Sequence, residues 1–337
     1  MPDPLVSVVI PLYNAEEWIE ATLRSVQQQT VERDLLELIV VDNGSTDRGV
    51  ELARDLLSGS APQYEVICLD NNCGPSFARN VGWRRSRAPW IQFLDSDDLL
   101  VADKIHEQLR VARIAPPEVA VVYSEWQFYS FDGEWAPQPP LIAPRILTDV
   151  VQELLTTDNF VHTGSGLFRK TWLAKVGGFD EQCWLIEDVH LNLRLVMAGG
   201  SFLCAPAGRA LFYYRRRSCS LSTGRRVEFL KGCVRNLRLA QAYWFENNWM
   251  TEHRRRFLLN SYEYLLHNLA ALDTPDFAEL LANVRSLSPG WVPRNRQMRF
   301  LTRLFGYRAA EHIAIWYRKV KAKLGGIWRL PRSAVRG

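Results

Sequence analysis

The stretch Trp90-Ile91-Gln92-Phe93-Leu94-Asp95-Ser96-Asp97-Asp98 decides how the chain is read. Its first half is a short apolar run, the signature of a strand buried on both faces. Its second half is a turn carrying three carboxylates. The same pattern recurs upstream. The run 6–10 ends at Pro11 and leads to Tyr13-Asn14; the run 38–41 leads to Asp42-Asn43-Gly44-Ser45; a third run covers 64–69. Apolar residues at helical spacing lie between the runs: Ile19, Leu23 and Val26, then Val50, Ala53 and Leu57, then Phe77, Val81 and Trp83 after Gly74-Pro75. Asn14 reads as the N-cap of the first helix, with Glu17 as its box partner. Repeated β–α units predict an α/β fold with parallel strands and right-handed crossovers. Ligands in such sheets bind beyond the carboxyl ends of the strands, where the polar clusters lie.

Downstream the pattern is mixed. Residues 119–123 read as another strand, and Asp132-Gly133 as a hairpin turn between Phe128-Tyr129 and Trp135. The Pro-rich segment 137–144 reads as a loop. Residues 189–197 read as a helix stopped by Gly199-Gly200. From Arg225 onward the chain is mostly helical, with breaks near Thr274-Pro275 and at 288–293.

Three carboxylates on one turn repel one another, and a hard divalent cation relieves that repulsion. Such ions share their coordination with substrate phosphates. A cap for the helix starting near Asp103 is the plainer reading. A calcium loop is excluded by spacing, because its sixth and twelfth positions, counted from Asp95, hold Leu100 and His106. A haloacid-dehalogenase-like phosphotransferase would make Asp95 a nucleophile, but Leu99 stands where its Thr or Val belongs.

Three further clusters carry polar chemistry. Asp42 ends a strand and can accept from a base imide or a ribose hydroxyl; the alternative is a turn and cap. Arg79 sits early in a helix, where a guanidinium suits phosphate or a pyrimidine edge; the alternative is a surface ion pair. Glu187-Asp188 begins a helix. These acids either cap it or supply a general base.

The composition sets limits. The 337 residues are 47% hydrophobic, enough for more than one typical domain. The six cysteines form no CxxC pair, which speaks against a zinc ribbon or redox motif and suits a reducing compartment. No cationic lead-in precedes the first apolar run and no stretch is long enough to span a bilayer, so a cytoplasmic protein is expected. From Arg294 onward there are twelve Lys/Arg and one acid, Glu311, which leaves the rest of the chain acidic. Ile313, Trp316, Tyr317, Val320 and Leu324 share a helical face in this basic tail. That face predicts a peripheral position on an anionic membrane, or else packing on the body of the protein. Nucleic acid is not an expected partner, since no binding fold accompanies the charge.

Taken in order, the segments 7–14, 41–47, 74–80, 94–98, 177–180 and 187–188 resemble glycosyltransferase family 2, over roughly residues 5–222. The resemblance implies a GT-A fold, a Rossmann-like mixed sheet flanked by helices, with a C-terminal helical extension. The domain would cover 1–223, with a nucleotide half to about 114 and an acceptor half from 115; 224–337 would be the helical, basic region. It implies an inverting transferase with Mn²⁺ or Mg²⁺, moving a sugar from a nucleoside-diphosphate donor, a UDP-sugar, to a hydroxyl of a glycan or lipid-linked acceptor. Cell-surface polysaccharide or glycoconjugate synthesis would be its setting. The implied nucleotide contacts are Pro11, Tyr13, Asn14, Asp42, Arg79, Asp95, Ser96 and Arg217. Asp97 and Asp95 would hold the metal, and Asp188, with Glu187 as the alternative, would be the base. Arg217 stands where many members have a histidine, and His190 where a further acid is frequent. Trp126, Trp135, Trp172 and Trp184 in the acceptor half are candidates for sugar stacking or for core. A non-catalytic sugar-nucleotide-binding or scaffold protein of the same fold is the competing reading.

Overall fold

A computed structural model of the chain describes residues 3–58, 63–131, 135–142, 149–156, 161–216, 225–270, 272 and 276–327. The run before the acidic turn is strand β4 (Trp90–Phe93). Strand β1 (Val6–Leu12) pairs in parallel with β4 on one side and with β2 (Leu36–Asp42) on the other; β3 (Tyr64–Cys68) closes that edge. Val8, Val9, Ile10 and Val40 are wholly buried, which is why these strands read as unbroken apolar runs. The crossovers are helices α1 (Ile19–Gln27), α2 (Gly49–Ser58) and α3 (Pro75–Arg85).

Beyond β4 the sheet ceases to be parallel. Strand β9 (Gly166–Arg169) runs antiparallel between β4 and β6 (Val119–Tyr123), and β10 (Ser201–Cys204) is parallel to β6. The order is β10-β6-β9-β4-β1-β2-β3, the mixed sheet expected of the fold class. A second sheet starts at the acidic turn itself, in the order β5 (Leu99–Leu100), β11 (Phe212–Arg215), β7 (Trp126–Phe131), β8 (Trp135–Ile142). Helices α4 (Lys104–Ala112), α5 (Val150–Leu154), α6 (Lys170–Val176) and α7 (Glu187–Met197) complete this half.

Two local expectations need correction. Asn14 does not cap α1, whose N-cap is Trp18 with no side-chain cap bond. Instead Asn14 Oδ1 accepts from Thr46 N–H at 2.8 Å, tying the loop after β1 to the loop after β2. Asn14 also adopts φ 45°, a conformation Asn tolerates better than most residues. The Pro-rich segment is strand as far as Ile142, not loop. It pairs with β7 at the sheet edge, where a proline's missing N–H costs no ladder bond. The turn at Asp132-Gly133, residues 143–148 and the break at Thr274-Pro275 lie outside the described residues.

The chain divides into two compact units, Met1–Arg225 and Arg226–Gly337. The second is helical: α8 (Arg226–Glu246), α9 (Glu252–Ala270), α10 (Asp276–Leu287), α11 (Arg296–Phe305) and α12 (Tyr307–Ile327). Trp244, Leu258, Tyr262, Leu266 and Leu280 are buried in it. Phe277 and Tyr307 lie with parallel rings 6.0 Å apart, and Tyr307 donates to Glu311 at 2.6 Å.

Candidate functional site

The acidic turn is held from beneath. Asp98 N–H donates to Asp95 O at 3.0 Å, and the Thr22 hydroxyl of α1 lies 3.0 Å from Ser96 O and 2.9 Å from Asp98 O. Asp98 is fully buried, and its Oδ1 accepts the Arg215 N–H of β11 at 2.8 Å. Arg215 Nε donates to Asp97 O at 2.6 Å, and its guanidinium covers the Trp18 ring at 4.7 Å. Asp98 therefore anchors the second sheet to the turn. Asp95 and Asp97 remain half-buried at the strand end. Burial, reinforced by the charges of Asp97 and Asp95, holds the Asp98 carboxyl well above its usual range.

The opposite wall is built by α3 and α7. Gly74, at φ +88°, turns the chain into α3, and Pro75 supplies the pre-set first residue. Arg79, only 3% exposed, donates to Asp95 at 2.5 Å and to Glu187 at 2.7 Å. One guanidinium thus joins the acidic turn to the start of α7. Its Nε is buried with no partner among the described residues. Burial pushes Glu187 up to about 7; Arg79 opposes the rise and neighbouring Asp188 adds to it. The Asp188 carboxylate, whose Oδ1 accepts Val189 N–H at 2.7 Å, is close enough for its charge to act on His162 and Tyr214. The loop before α7 is pinned by Asn80, whose side chain bonds Phe179 O and Phe179 N–H, both at 2.9 Å. Ile186, at φ 61° and ψ 26°, then precedes Glu187 in a conformation costly for a β-branched residue.

The floor was not legible in the sequence. His162 stacks on Phe212 at 5.1 Å and lies 4.9 Å from the Tyr214 ring. Its Nδ1 accepts from Gly164 N–H at 3.2 Å, which leaves the proton of the neutral ring on Nε2. Burial holds His162 below its usual value, although Asp188 and Asp95 pull the other way. Beneath it, Gln92 and Gln108 donate to Gly164 O and Ser165 O at 3.0 and 2.7 Å, and the buried Lys104 bonds Gln92. With no acid acting on it among the described residues, burial pushes the Lys104 amine well down. The available signal was Lys104 and Gln108 on the same face as Ile105 and Leu109, polar groups facing the core of α4. For Arg215 and Tyr214 the signal was the two-residue alternation of β11.

The remaining predicted contacts are distributed as follows. Pro11 pairs in register with Val41 near the end of β1, and Tyr13 is 46% exposed just beyond it. Asp42 is buried at the end of β2, where its Oδ1 accepts Ser45 N–H at 3.0 Å. Ser96 forms the tip of the acidic turn. Arg217 lies outside the described residues. Trp126 is core, packed on Phe128, His162 and Tyr214. Trp172 is tied to Pro117 O at 2.9 Å. Trp184 is half-buried beside Gly74 and under Arg225. For Trp135 only the strand position is described.

The donor set fits a hard divalent cation. Three carboxylates occupy one turn, and the buried Asp98 Oδ2 has no hydrogen-bond partner among the described residues. Asp97 and Asp95 are the less buried carboxylates of this turn.

The chain has known relatives. Its residues 7–177 match the profile of "Glycosyl transferase family 2". It is 28% identical over 241 residues to a succinoglycan biosynthesis protein, ExoO, of Rhizobium meliloti, covering 68% of this chain and 66% of that one. The first curated relatives it matches are spanned over only 50%, 41% and 66% of their own length. Its structure superposes on S. aureus TarS 1–349 in complex with UDP-GlcNAc with a TM-score of 0.66, at 17% identity, over 94% of this chain and 92% of that one. It also superposes on a Pyrobaculum calidifontis mannosyltransferase in complex with GDP-Man and Mn²⁺, with a TM-score of 0.55, at 19% identity, over 95% and 89%. The fold is therefore the GT-A type, and by the match over half its length the chain belongs to glycosyl transferase family 2.

Proposed function

We propose that this chain transfers a sugar, with inversion, from a nucleoside-diphosphate donor, a UDP-sugar, to a hydroxyl of a glycan or lipid-linked acceptor, in cell-surface polysaccharide or glycoconjugate synthesis. One observation carries the reading. Arg79 draws the acidic turn of β4 and the Glu187-Asp188 pair of α7 to one guanidinium, 2.5 and 2.7 Å from Asp95 and Glu187. A diphosphate-binding strand end and a basic group for the acceptor then face one cleft. Non-catalytic binding alone would not require Asp188 there.

Asp188 accepts the proton of the attacking hydroxyl: its charge reaches His162 and Tyr214, while Glu187 is bound to Arg79. Asp42, Tyr13 and Pro11 line the end of β1 and β2, where the nucleoside would lie. Asp97 and Asp95 would hold Mn²⁺ or Mg²⁺, which when bound neutralises charge on the departing diphosphate. The transition state is oxocarbenium-like, and a single displacement inverts the anomeric centre.

The second unit supports a membrane partner. In α11, Phe300, Leu304 and Phe305 are exposed, and Arg296, Arg299 and Arg303 alternate with them. In α12, Trp316 and Tyr317 are exposed beside Arg318. Aromatic rings edged with arginine suit an anionic interface. Among the described residues no helix is long and apolar enough to cross a membrane. We assign the chain a peripheral place on the cytoplasmic face of the plasma membrane.

The transfer reading is tested with a panel of sugar nucleotides. Turnover releases nucleoside diphosphate, Asp188→Asn keeps donor binding while losing about 10³-fold or more in kcat, and Asp97→Ala weakens donor binding only in the presence of Mn²⁺. Near-normal rates in Asp188→Asn would move the base to Glu187, and an unchanged Mn²⁺-dependent titration in Asp97→Ala would sink the metal assignment.

A further inference from the structure

A second group of ligand-type side chains lies apart from the acidic turn. Asp180, Cys183 and His190 bring one oxygen, one sulfur and one nitrogen within 4.8 Å of one another. His190 Nε2 is 3.6 Å from Asp180 Oδ2, and Cys183 Sγ is 3.8 Å from the same oxygen. We propose that these three residues form a zinc site that clamps the loop before α7 to the helix carrying Asp188.

The distances fit. With Zn–S of about 2.3 Å and Zn–N and Zn–O of about 2.0–2.2 Å, tetrahedral ligands stand roughly 3.3–3.7 Å apart. Two of the three separations are already within a few tenths of an ångström of that range, so side-chain rotation is enough to close the site. The chemistry fits as well. A thiolate, an imidazole and a carboxylate make a borderline-soft set that selects zinc over magnesium or manganese, the opposite preference from the all-oxygen turn at Asp95–Asp98. Three protein ligands leave a fourth position for water.

The surroundings orient the ligands. Asp180 Oδ1 accepts Gln182 N–H at 3.0 Å, which directs Oδ2 toward His190 and Cys183. Cys183 N–H donates to Asp180 O at 2.9 Å, closing the turn that brings the two together. Cys183 and His190 are buried, and Asp180 is at the rim. The backbone of Cys183 is fixed to α3 by the Ser76 hydroxyl at 2.8 Å. His190 lies one turn into α7, directly after the turn that bears Glu187 and Asp188. A bound ion would therefore cross-link loop and helix on both sides of the proposed base. The zinc site stands independently of the transferase reading; only its influence on Asp188 rests on that reading.

The test uses the full chain, stripped of metal by a chelator and titrated with Zn²⁺ against a chromophoric competitor. The expected result is one tight equivalent per chain. Cys183→Ala and His190→Gln should each lower zinc affinity by more than about 100-fold, beyond the loss of an outer partner. Cys68→Ala/Cys73→Ala, which removes two exposed thiols, and Asp97→Ala should keep it. Co²⁺ added to the stripped chain should give a thiolate charge-transfer band that Cys183→Ala abolishes. Absence of a tight equivalent, or one that survives both ligand variants, overturns the proposal. If zinc binds and turnover is unchanged by stripping and reloading, the clamp on Asp188 is refuted. Donor turnover is measured separately, so a failed transferase reading does not affect the zinc result.

Discussion

Replacing Arg79 by methionine keeps the hydrocarbon stem and removes the charge between Asp95 and Glu187. The side chain is almost completely enclosed, while Glu187 is 14% and Asp95 30% exposed. Removing one partner of a buried ion pair costs about 3–5 kcal/mol, because the other charge stays behind. Asp95 can recover water, so the lower end applies, about 3 kcal/mol at pH 8. For a unit of this size that corresponds to a melting shift of roughly 6–12 °C. The deficit depends on pH with a definite sign. Glu187 titrates at about 7, above the ordinary 4.5, so its ionisation weakens the fold as pH rises between those values. Without Arg79, only a backbone hydrogen bond still opposes burial and Asp188, and the penalty grows. Urea unfolding and calorimetry at pH 5 and pH 8 should show Arg79→Met losing more at pH 8, and Arg79→Met/Glu187→Gln recovering part of the loss. A deficit below about 1 kcal/mol at pH 8, or a larger one at pH 5, would refute the guanidinium as the link between the two walls.

Two other expectations follow from the same structure. Gly178→Ala should lose roughly 2–5 kcal/mol in urea unfolding, since Gly178 sits at φ +76° and a Cβ there would meet Asn80 Oδ1 at 2.4 Å and Trp83 Nε1 at 2.5 Å; a loss under about 1 kcal/mol would mean the loop relaxes freely. Phe300→Ser/Trp316→Ser should reduce sedimentation with phosphatidylserine-containing liposomes at least tenfold while leaving neutral liposomes unaffected, and equal pelleting of variant and parent would remove the membrane partner.

The first half of the sheet was readable because β1, β2 and β4 are buried on both faces and each ends in its own polar turn. Val6, Val8 and Ile10 announce β1, and Asp42 and Asp95 mark the ends of β2 and β4. The antiparallel insertion of β9 was hidden. A four-residue strand has no period to detect, and its place between β4 and β6 is set by tertiary pairing. The acids of the cleft were legible as residue types, but their pairing was not. For Arg79 the sequence offers a phosphate or base contact or a surface ion pair, and spacing says nothing of Glu187, distant in the chain, which takes part of its guanidinium. His162 stayed invisible for a related reason: a lone histidine carries no pattern, and only its packing on Phe212 and Tyr214 brings it to the acids.

Ile186 carries a consequence for how this chain can change. A branched side chain in the left-handed region costs about 1–2 kcal/mol, and glycine or asparagine would remove much of that cost in one step. The position is therefore a ready source of heat resistance. It also sets the angle at which the first turn of α7 leaves the loop, and with it the aim of Asp188. A variant relaxed at 186 should outlast its parent on heating and turn over more slowly, so that durability and rate are opposed at a single backbone torsion.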